Sequence, residues 1–190
     1  MVPRHAAAVQ RRTGEIREAV GLQVALEKAH ANDIAAIALL RTAVAERLTR
    51  DFGQGHWSQS GSESSVIRDM AIPGLYVVRE GGHVVATLRL AAKKPWAIDP
   101  AYFSSSKSPL YLTSMAVEPD RQRQGIGRAC MVDALRIARE RLADAIRLDA
   151  YNTPAGAGGF YEKCGFREVG RVVYRTTPLI YYEKLLSADS

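Results

Sequence analysis

The chain contains only two cysteines, Cys130 and Cys164. They show no CxxC spacing and have no histidine partner at metal-ligand spacing, so neither a disulfide framework nor a metal site is expected. Two buried thiols in a reducing cytoplasm are the expectation. Long apolar runs are also missing. The longest covers residues 34–40 and has seven residues, against the roughly 20 that a membrane-spanning helix needs. No run of five basic residues occurs, so the excess of 26 Lys and Arg over 20 Asp and Glu lacks the local clustering of a nucleic-acid arm. Repeats and low-complexity tracts are absent. Residues 1–19 carry Glu15 and Glu18 among their arginines and have no apolar segment. They read as a tail or a marginal helix, not as a secretory signal.

What is present suits one globular unit, expected over residues 20–186. A chain of 190 residues can bury a core without staples. The net charge of +6 favours anionic partners, a phosphorylated cofactor among them. Along the chain, strand-like and helix-like patterns alternate, which is the signature of an α/β layer fold. Residues 21–25 alternate weakly as a first strand. Asn32 or Asp33 caps a helix running to about Arg50, with Ile34, Ile37, Ala38, Leu40, Val44 and Leu48 at helical spacing. Residues 51–61 form a glycine-containing loop. Ser62 or Ser64 then caps a short helix stopped by Pro73-Gly74. Residues 75–78 and 84–90 flank Glu80-Gly81-Gly82 as a hairpin. Residues 93–109 are a long irregular connection with three prolines, a length that is usually functional or disordered.

Beyond that connection the pattern sharpens. Residues 110–117 (LYLTSMAV) are a strand, and residues 125–141 are a helix with Ile126, Cys130, Ala134, Ile137 and Ala138 on one side. Residues 145–150 are a strand and residues 154–163 a glycine-rich helix ending at Gly165. Residues 166–174 and 179–185 are the last two strands.

The chemistry is concentrated between the strand ending at Val117 and the helix opened by glycine. A helix start presents about four amides without partners and roughly half a positive charge. Glycines at 125 and 127 let a ligand approach the main chain, which makes a socket for phosphate or pyrophosphate. Arg121, Arg123 and Arg128 surround it. A Walker loop is excluded because GxxxxGK[ST] does not occur. A Rossmann fingerprint fits poorly. Cys130 stands where its third glycine belongs, about seven residues separate strand from glycine, and too little chain follows Asp149, the candidate for its acidic residue.

Gln122-Arg123-Gln124-Gly125-Ile126-Gly127 resembles the [RQ]xxGx[GA] pyrophosphate loop of the GNAT superfamily of N-acetyltransferases. Three further features resemble that family in order and spacing: Met115-Ala116-Val117 before the loop, the string Tyr161-Glu162-Lys163-Cys164-Gly165-Phe166, and a closing strand of the Tyr181–Lys184 type. The likeness covers residues 110–185, about two fifths of the chain. It implies a twisted mixed sheet of six or seven strands flanked by about four helices, with the strands at 110–117 and 145–150 splayed apart at one end. It implies that acetyl-CoA lies in that wedge. The amides and side chains of Gln122, Arg123, Gln124, Gly125, Ile126, Gly127 and Arg128 would hold its pyrophosphate, and main chain at Met115, Ala116 and Val117 would pair with its pantetheine arm. The Val117 N–H would polarise the thioester carbonyl.

The implied reaction is direct attack of a primary amine of a small molecule or peptide on the thioester. Tyr161 occupies the position of the acid that protonates the departing thiolate. By spacing alone it reads better as an amphipathic helix residue packed on the sheet. The family's usual asparagine, seven residues before that tyrosine, is Pro154 here. Asn152 either reaches the same pantetheine atoms or caps the helix. The base has no signature: Glu118, Asp120, Thr113, Ser114 and Asp149 are all near. Phe52, His56 and Trp57 in the first long loop, and Trp96, Tyr102 and Phe103 in the second, line the acceptor site or pin their loops to the core. The expectation is a cytoplasmic acetyltransferase using acetyl-CoA and an amine acceptor, with no metal, nucleic acid or membrane. Its last strands are candidates for a homodimer contact. The competing expectation is a non-catalytic acyl-CoA-binding or sensing protein.

Overall fold

The structure is a computed structural model, and it describes residues 24–59 and 61–186. The first strand expected at 21–25 falls largely outside those residues. Val24 and Ala25 are not in a strand, and β1 is a two-residue strand further on (Glu27–Lys28). Asp33 immediately precedes α1 (Ile34–Phe52), but its side chain does not cap that helix; its carboxylate instead accepts from the His30 amide of the preceding turn at 2.7 Å. The apolar spacing read from the sequence buries Ile37, Ala38 and Leu40. The Ser62 hydroxyl accepts from the Ser65 amide at 3.3 Å and caps α2 (Glu63–Met70). Strands β2 (Leu75–Glu80) and β3 (His83–Ala91) form the expected hairpin. They are followed by β4 (Pro109–Val117), α3 (Ile126–Glu140), β5 (Ala145–Tyr151), α4 (Gly158–Lys163), β6 (Arg167–Tyr174) and β7 (Thr177–Leu185).

Two boundaries differ from the sequence reading for a visible local reason. The helix expected over 154–163 is only the six residues of α4. The preceding residues are bent by a hydrogen bond from the Gly156 amide to the Thr153 carbonyl at 2.8 Å. A Cβ at Gly156 would collide with the Tyr151 carbonyl oxygen, so glycine serves a close crossing there, not a helical turn. The last strand also starts earlier, at Thr177. It pairs with Tyr174 across a two-residue turn in which Arg175 has φ 56°.

The seven strands form one mixed sheet in the order β1-β2-β3-β4-β5-β7-β6. Every neighbouring pair is antiparallel except β4 and β5. One face is covered by α3 and α4 over a core that includes Leu88, Leu90, Leu112, Met131, Ile146, Leu148 and Tyr182. On the other face α1 and α2 cover β2 through Ile37, Val66 and Val77. Further along that face lies the connection between β3 and β4, on Ile98, Tyr111 and Tyr181.

That connection is bound to the sheet by polar contacts. The Ser104 carbonyl accepts from Arg147 Nη2 at 2.6 Å, and the Ser104 amide donates to Glu183 Oε2 at 3.3 Å. Arg147 and Glu183 pair at 3.1 Å, with side chains 5% and 1% exposed. Losing one member of such a pair strands the other charge away from water. Arg147→Ala is therefore expected to lower unfolding free energy by about 3 kcal/mol or more in urea titration, and to loosen residues 93–108 in amide exchange.

Candidate active site

The parallel pairing of β4 and β5 is short. It comprises Pro109↔Ala145, Leu110↔Ile146 and Tyr111↔Arg147 and then stops, although β4 runs on to Val117 and β5 to Tyr151. The cause is visible in β4. Between the pairs Thr87↔Ala116 and Arg89↔Thr113, β4 spends one residue more than β3. This is a β-bulge, which bends the strand carrying it. Ser114 within it has φ 54°, an uncommon conformation for a residue other than glycine. Beyond the bulge the two strands diverge.

The main chain of β4 past the bulge faces the gap. The Glu118 amide donates to the Val85 carbonyl at 2.9 Å, and Val117 stands opposite Ala86. Bonded and non-bonded pairs alternate along an antiparallel ladder. Val117 is therefore a non-bonded partner of β3, and its N–H and C=O point towards β5. The Val117 carbonyl accepts from Gln122 Nε2 at 3.1 Å, which ties the following loop to the strand end.

That loop is the socket expected from the glycines. Gly125 is the residue before α3 and has φ 87°, and Arg123 has φ 62°. The Ala129 amide donates to the Gly125 carbonyl at 3.0 Å. The amides from Arg123 to Arg128 meet no main-chain acceptor among the described residues. Gln124 Nε2 bonds the Asp120 carbonyl at 2.9 Å. Gln122, Arg123, Gln124, Gly125 and Arg128 are exposed, while Ile126 is buried in the core. The three arginines separate here. Arg121 is paired with Glu80 of β2, whereas Arg123 and Arg128 have no acidic partner among the described residues. Gly127 is close-packed: a Cβ there would lie 3.4 Å from the Phe160 ring and 3.7 Å from the Met115 methyl.

Met115 and Tyr161 meet across the gap. The Tyr161 hydroxyl lies 3.8 Å from Met115 Sδ, and its ring packs among Phe160, Phe166 and Tyr182. Burial, with the charges of Asp149 and Cys164 adding to it, raises the phenol well above its ordinary range. Tyr161 is thus a proton donor at neutral pH and never a base. Asp149, near the end of β5, stands opposite Tyr181. Directly opposed residues share a sheet face, and Tyr161 packs with the neighbouring Tyr182, whose side chain points to the other face. Asp149 and Tyr161 therefore flank the gap from opposite faces. Asp149 is crowded by its neighbours while retaining some exposure, and burial raises its carboxyl above the usual range.

The remaining sequence candidates fall in different places. Asn152 is exposed. It does not cap α4, which begins after Ala157; it borders a cavity of about 420 Å³ with Gly156, Gly159, Glu162 and Tyr182. Trp57 stacks edge-on against Tyr151 with centroids 5.5 Å apart, so the loop after α1 reaches the end of β5 beside Asp149. His56 and Phe52 are exposed. In the second connection Trp96 is exposed, while Tyr102 and Phe103 pack on Tyr181. Those two aromatics pin their loop to the sheet. Asp149 is one name among several in the sequence; its burial, on the sheet face opposite to that of Tyr161, is what singles it out. Cys130 is buried and Cys164 half-buried, both as free thiols. No metal-holding group of His, Cys, Asp and Glu occurs among the described residues, and no described helix is long and apolar enough to cross a membrane.

The model of the Acetyltransferase (GNAT) family matches residues 41–166. The chain belongs to the GNAT family of acetyltransferases. No curated protein matches the sequence. Among solved structures, a GNAT-family acetyltransferase from Streptococcus agalactiae superposes with a TM-score of 0.71 at 15% identity, covering 87% of this chain and 96% of that one. The ribosomal-protein-S18-alanine N-acetyltransferase of Escherichia coli gives 0.64 at 17% identity over 88% and 97%. The PaiA N-acetyltransferase of Thermoplasma acidophilum, solved in complex with coenzyme A, gives 0.64 at 13% over 87% and 100%. At these identities the superpositions establish the GNAT fold. Together with the family match they make the chain an acyltransferase.

The raised carboxyl of Asp149 has a consequence for stability that is separate from activity. A folded-state value above the unfolded one means that ionising the group costs folding energy, and this cost grows as pH rises from the ordinary value, 3.8, through the raised one. Asp149→Asn is expected to be more stable than the parent at pH 7. The difference should vanish below about pH 3.9, where the parent's carboxyl is protonated in both states. Paired thermal melts across pH check this, and a constant difference would show that burial of the charge is not the cause.

Proposed function

We propose that this GNAT acetyltransferase moves an acetyl group from acetyl-CoA to a primary amine by direct attack. The observation that carries the reading is the pair Asp149 and Tyr161, placed on opposite faces of the gap where β4 and β5 separate. Bound acetyl-CoA would supply the activated acetyl thioester. The amides from Arg123 to Arg128, with the Arg123 and Arg128 guanidinium groups, would hold its pyrophosphate; they are the amides left without acceptors ahead of α3. Main chain at Met115, Ala116 and Val117 would hydrogen-bond its pantetheine arm, as an added strand would. Asn152 is a further candidate contact for that arm.

The chain's own groups then divide the proton work. The Val117 N–H donates to the thioester carbonyl oxygen as negative charge develops there. Asp149 takes the proton from the incoming ammonium or amine, directly or through one water, on the face reached by Trp57 and Tyr151. Tyr161 donates its hydroxyl proton to the departing sulfur from the other face. Burial serves both roles. It lifts the carboxyl towards the pH at which a carboxylate is an effective base, and it keeps the phenol protonated.

Free thiol released from acetyl-CoA in the presence of an amine panel tests the reading, and an absence of release with every amine would overturn it. Tyr161→Phe is expected to lower kcat by roughly 10²-fold while leaving the Kd for CoA within a few fold. Asp149→Asn is expected to lower kcat/KM by a comparable factor and to remove the acidic limb of the pH profile, a limb that should sit above the ordinary carboxylate range. Gly125→Val places a β-branched residue at φ 87° and is expected to weaken CoA binding by an order of magnitude or more, as read by calorimetry.

A further inference from the structure

The bulge that opens the gap is held by a polar cluster that the acetyl-transfer chemistry does not use. Asp69, in the last turn of α2, accepts from Arg41 Nη1 at 2.8 Å and from Arg89 Nη1 at 2.9 Å. The Ser114 hydroxyl donates to the same carboxylate at 3.2 Å. Arg89 also donates from Nε to Thr113 Oγ1 at 3.0 Å. Thr113, the last paired residue before the bulge, and Ser114, the first within it, are therefore both clasped through Arg89 and Asp69.

The anchor of this clasp cannot drift. Arg41 is buried, and its Nε and Nη2 meet no partner and no solvent. Asp69 is the only acceptor its guanidinium has among the described residues, so moving the carboxylate would strand a buried cation. Both Asp69 oxygens act as acceptors here, from the two guanidinium groups and from Ser114. The Ser114 hydroxyl must then donate, which fixes its orientation. The main chain of Ser114 sits at φ 54°, where a non-glycine residue persists only if its surroundings over-determine it. Met115 follows directly, and Val117 is three residues on.

We propose that Asp69 is a positioning residue: through the Ser114 hydroxyl it holds the β4 bulge in the shape that aims the Val117 N–H into the gap. The clasp thereby links α1 and α2 to the strand that carries the Val117 N–H. Its use in catalysis rests on the acetyl-transfer reading above; its mechanical role does not.

Three substitutions at Ser114 separate the hydroxyl from the backbone. Ser114→Ala removes the donor and keeps the strain. Ser114→Gly removes the donor and relieves the strain. Ser114→Asn tolerates a positive φ and restores a donor. Displacing an oriented group by a fraction of an ångström costs about tenfold or more in rate. The Ala and Gly variants are expected to lose roughly tenfold in kcat at saturating acetyl-CoA, with Kd for CoA within twofold of the parent and amide exchange over residues 112–118 accelerated. The Asn variant should recover both readouts. A Gly variant with parental kcat and parental exchange overturns the proposal, as does a kcat loss matched by an equal loss of CoA affinity, which marks general disruption. If the parent itself releases no thiol with any amine, the acetyl-transfer reading fails. The exchange comparison still decides the clasp in that case, acceleration in Ala and Gly with recovery in Asn supporting it.

Discussion

A sheet normally satisfies its backbone groups by continuing its ladder, because an unpaired buried amide or carbonyl costs free energy comparable to a lost hydrogen bond. In this protein the ladder between β4 and β5 is abandoned after Tyr111↔Arg147, and the rest of the site follows from that. On either side of the break, Leu110, Leu112, Ile146 and Leu148 pack into the apolar core. Beyond the break, the Val117 main chain faces open space between two strands. Such a group is a ready partner for an extended ligand, which completes the sheet as another strand would. The interruption belongs to the fold and is built by one surplus residue in β4.

The net positive charge of the chain is not spread evenly in what it can do. Arg147 is committed to Glu183, Arg121 to Glu80, and Arg41 and Arg89 to Asp69. Each of these pairs restrains an element: the β3–β4 connection, the loop after β4, and the bulge. Arg123 and Arg128 stand apart, exposed beside amides that lack acceptors. Part of the chain's excess of cations thus stands free of ion pairs at the start of α3. There the helix dipole adds to it.

The two faces of the sheet have different tasks at the gap. One presents Tyr161, sealed among Phe160, Phe166 and Tyr182, where loss of solvent holds a proton on the phenol. The other presents Asp149 and Tyr151 under Trp57, where the carboxyl is crowded but not closed off. Each keeps the protonation state its surroundings impose, and the Asp149 charge adds to the burial that holds the proton on Tyr161. The connection between β3 and β4 lies on Tyr181, the residue opposite Asp149. Its aromatic residues bind it there, while the loop after α1 reaches the end of β5.

Local chemistry was legible in the sequence wherever one residue type answers one backbone need. Ser62 before α2, Gly125 before α3 with Gly127 in its first turn, and the apolar stripe from Ile126 to Ala138 all appear where spacing puts them, since caps, turns and amphipathic faces are decided within a few residues. The helix expected from Pro154 was misread because Gly156 answers a contact with the Tyr151 carbonyl, and no spacing rule records a crossing of that kind. The bulge at Ser114 was invisible for a similar reason: a surplus residue exists only relative to the strand beside it. Asp149 and Asp69 were likewise ordinary acidic residues until packing brought one towards Tyr161 and wrapped the other in two guanidinium groups. Short-range order and the anion socket were written in the chain. The break in the sheet, the sidedness of acid and base, and the choice among carboxylates were decided by tertiary structure, because each depends on the distance between segments that the chain separates by dozens of residues.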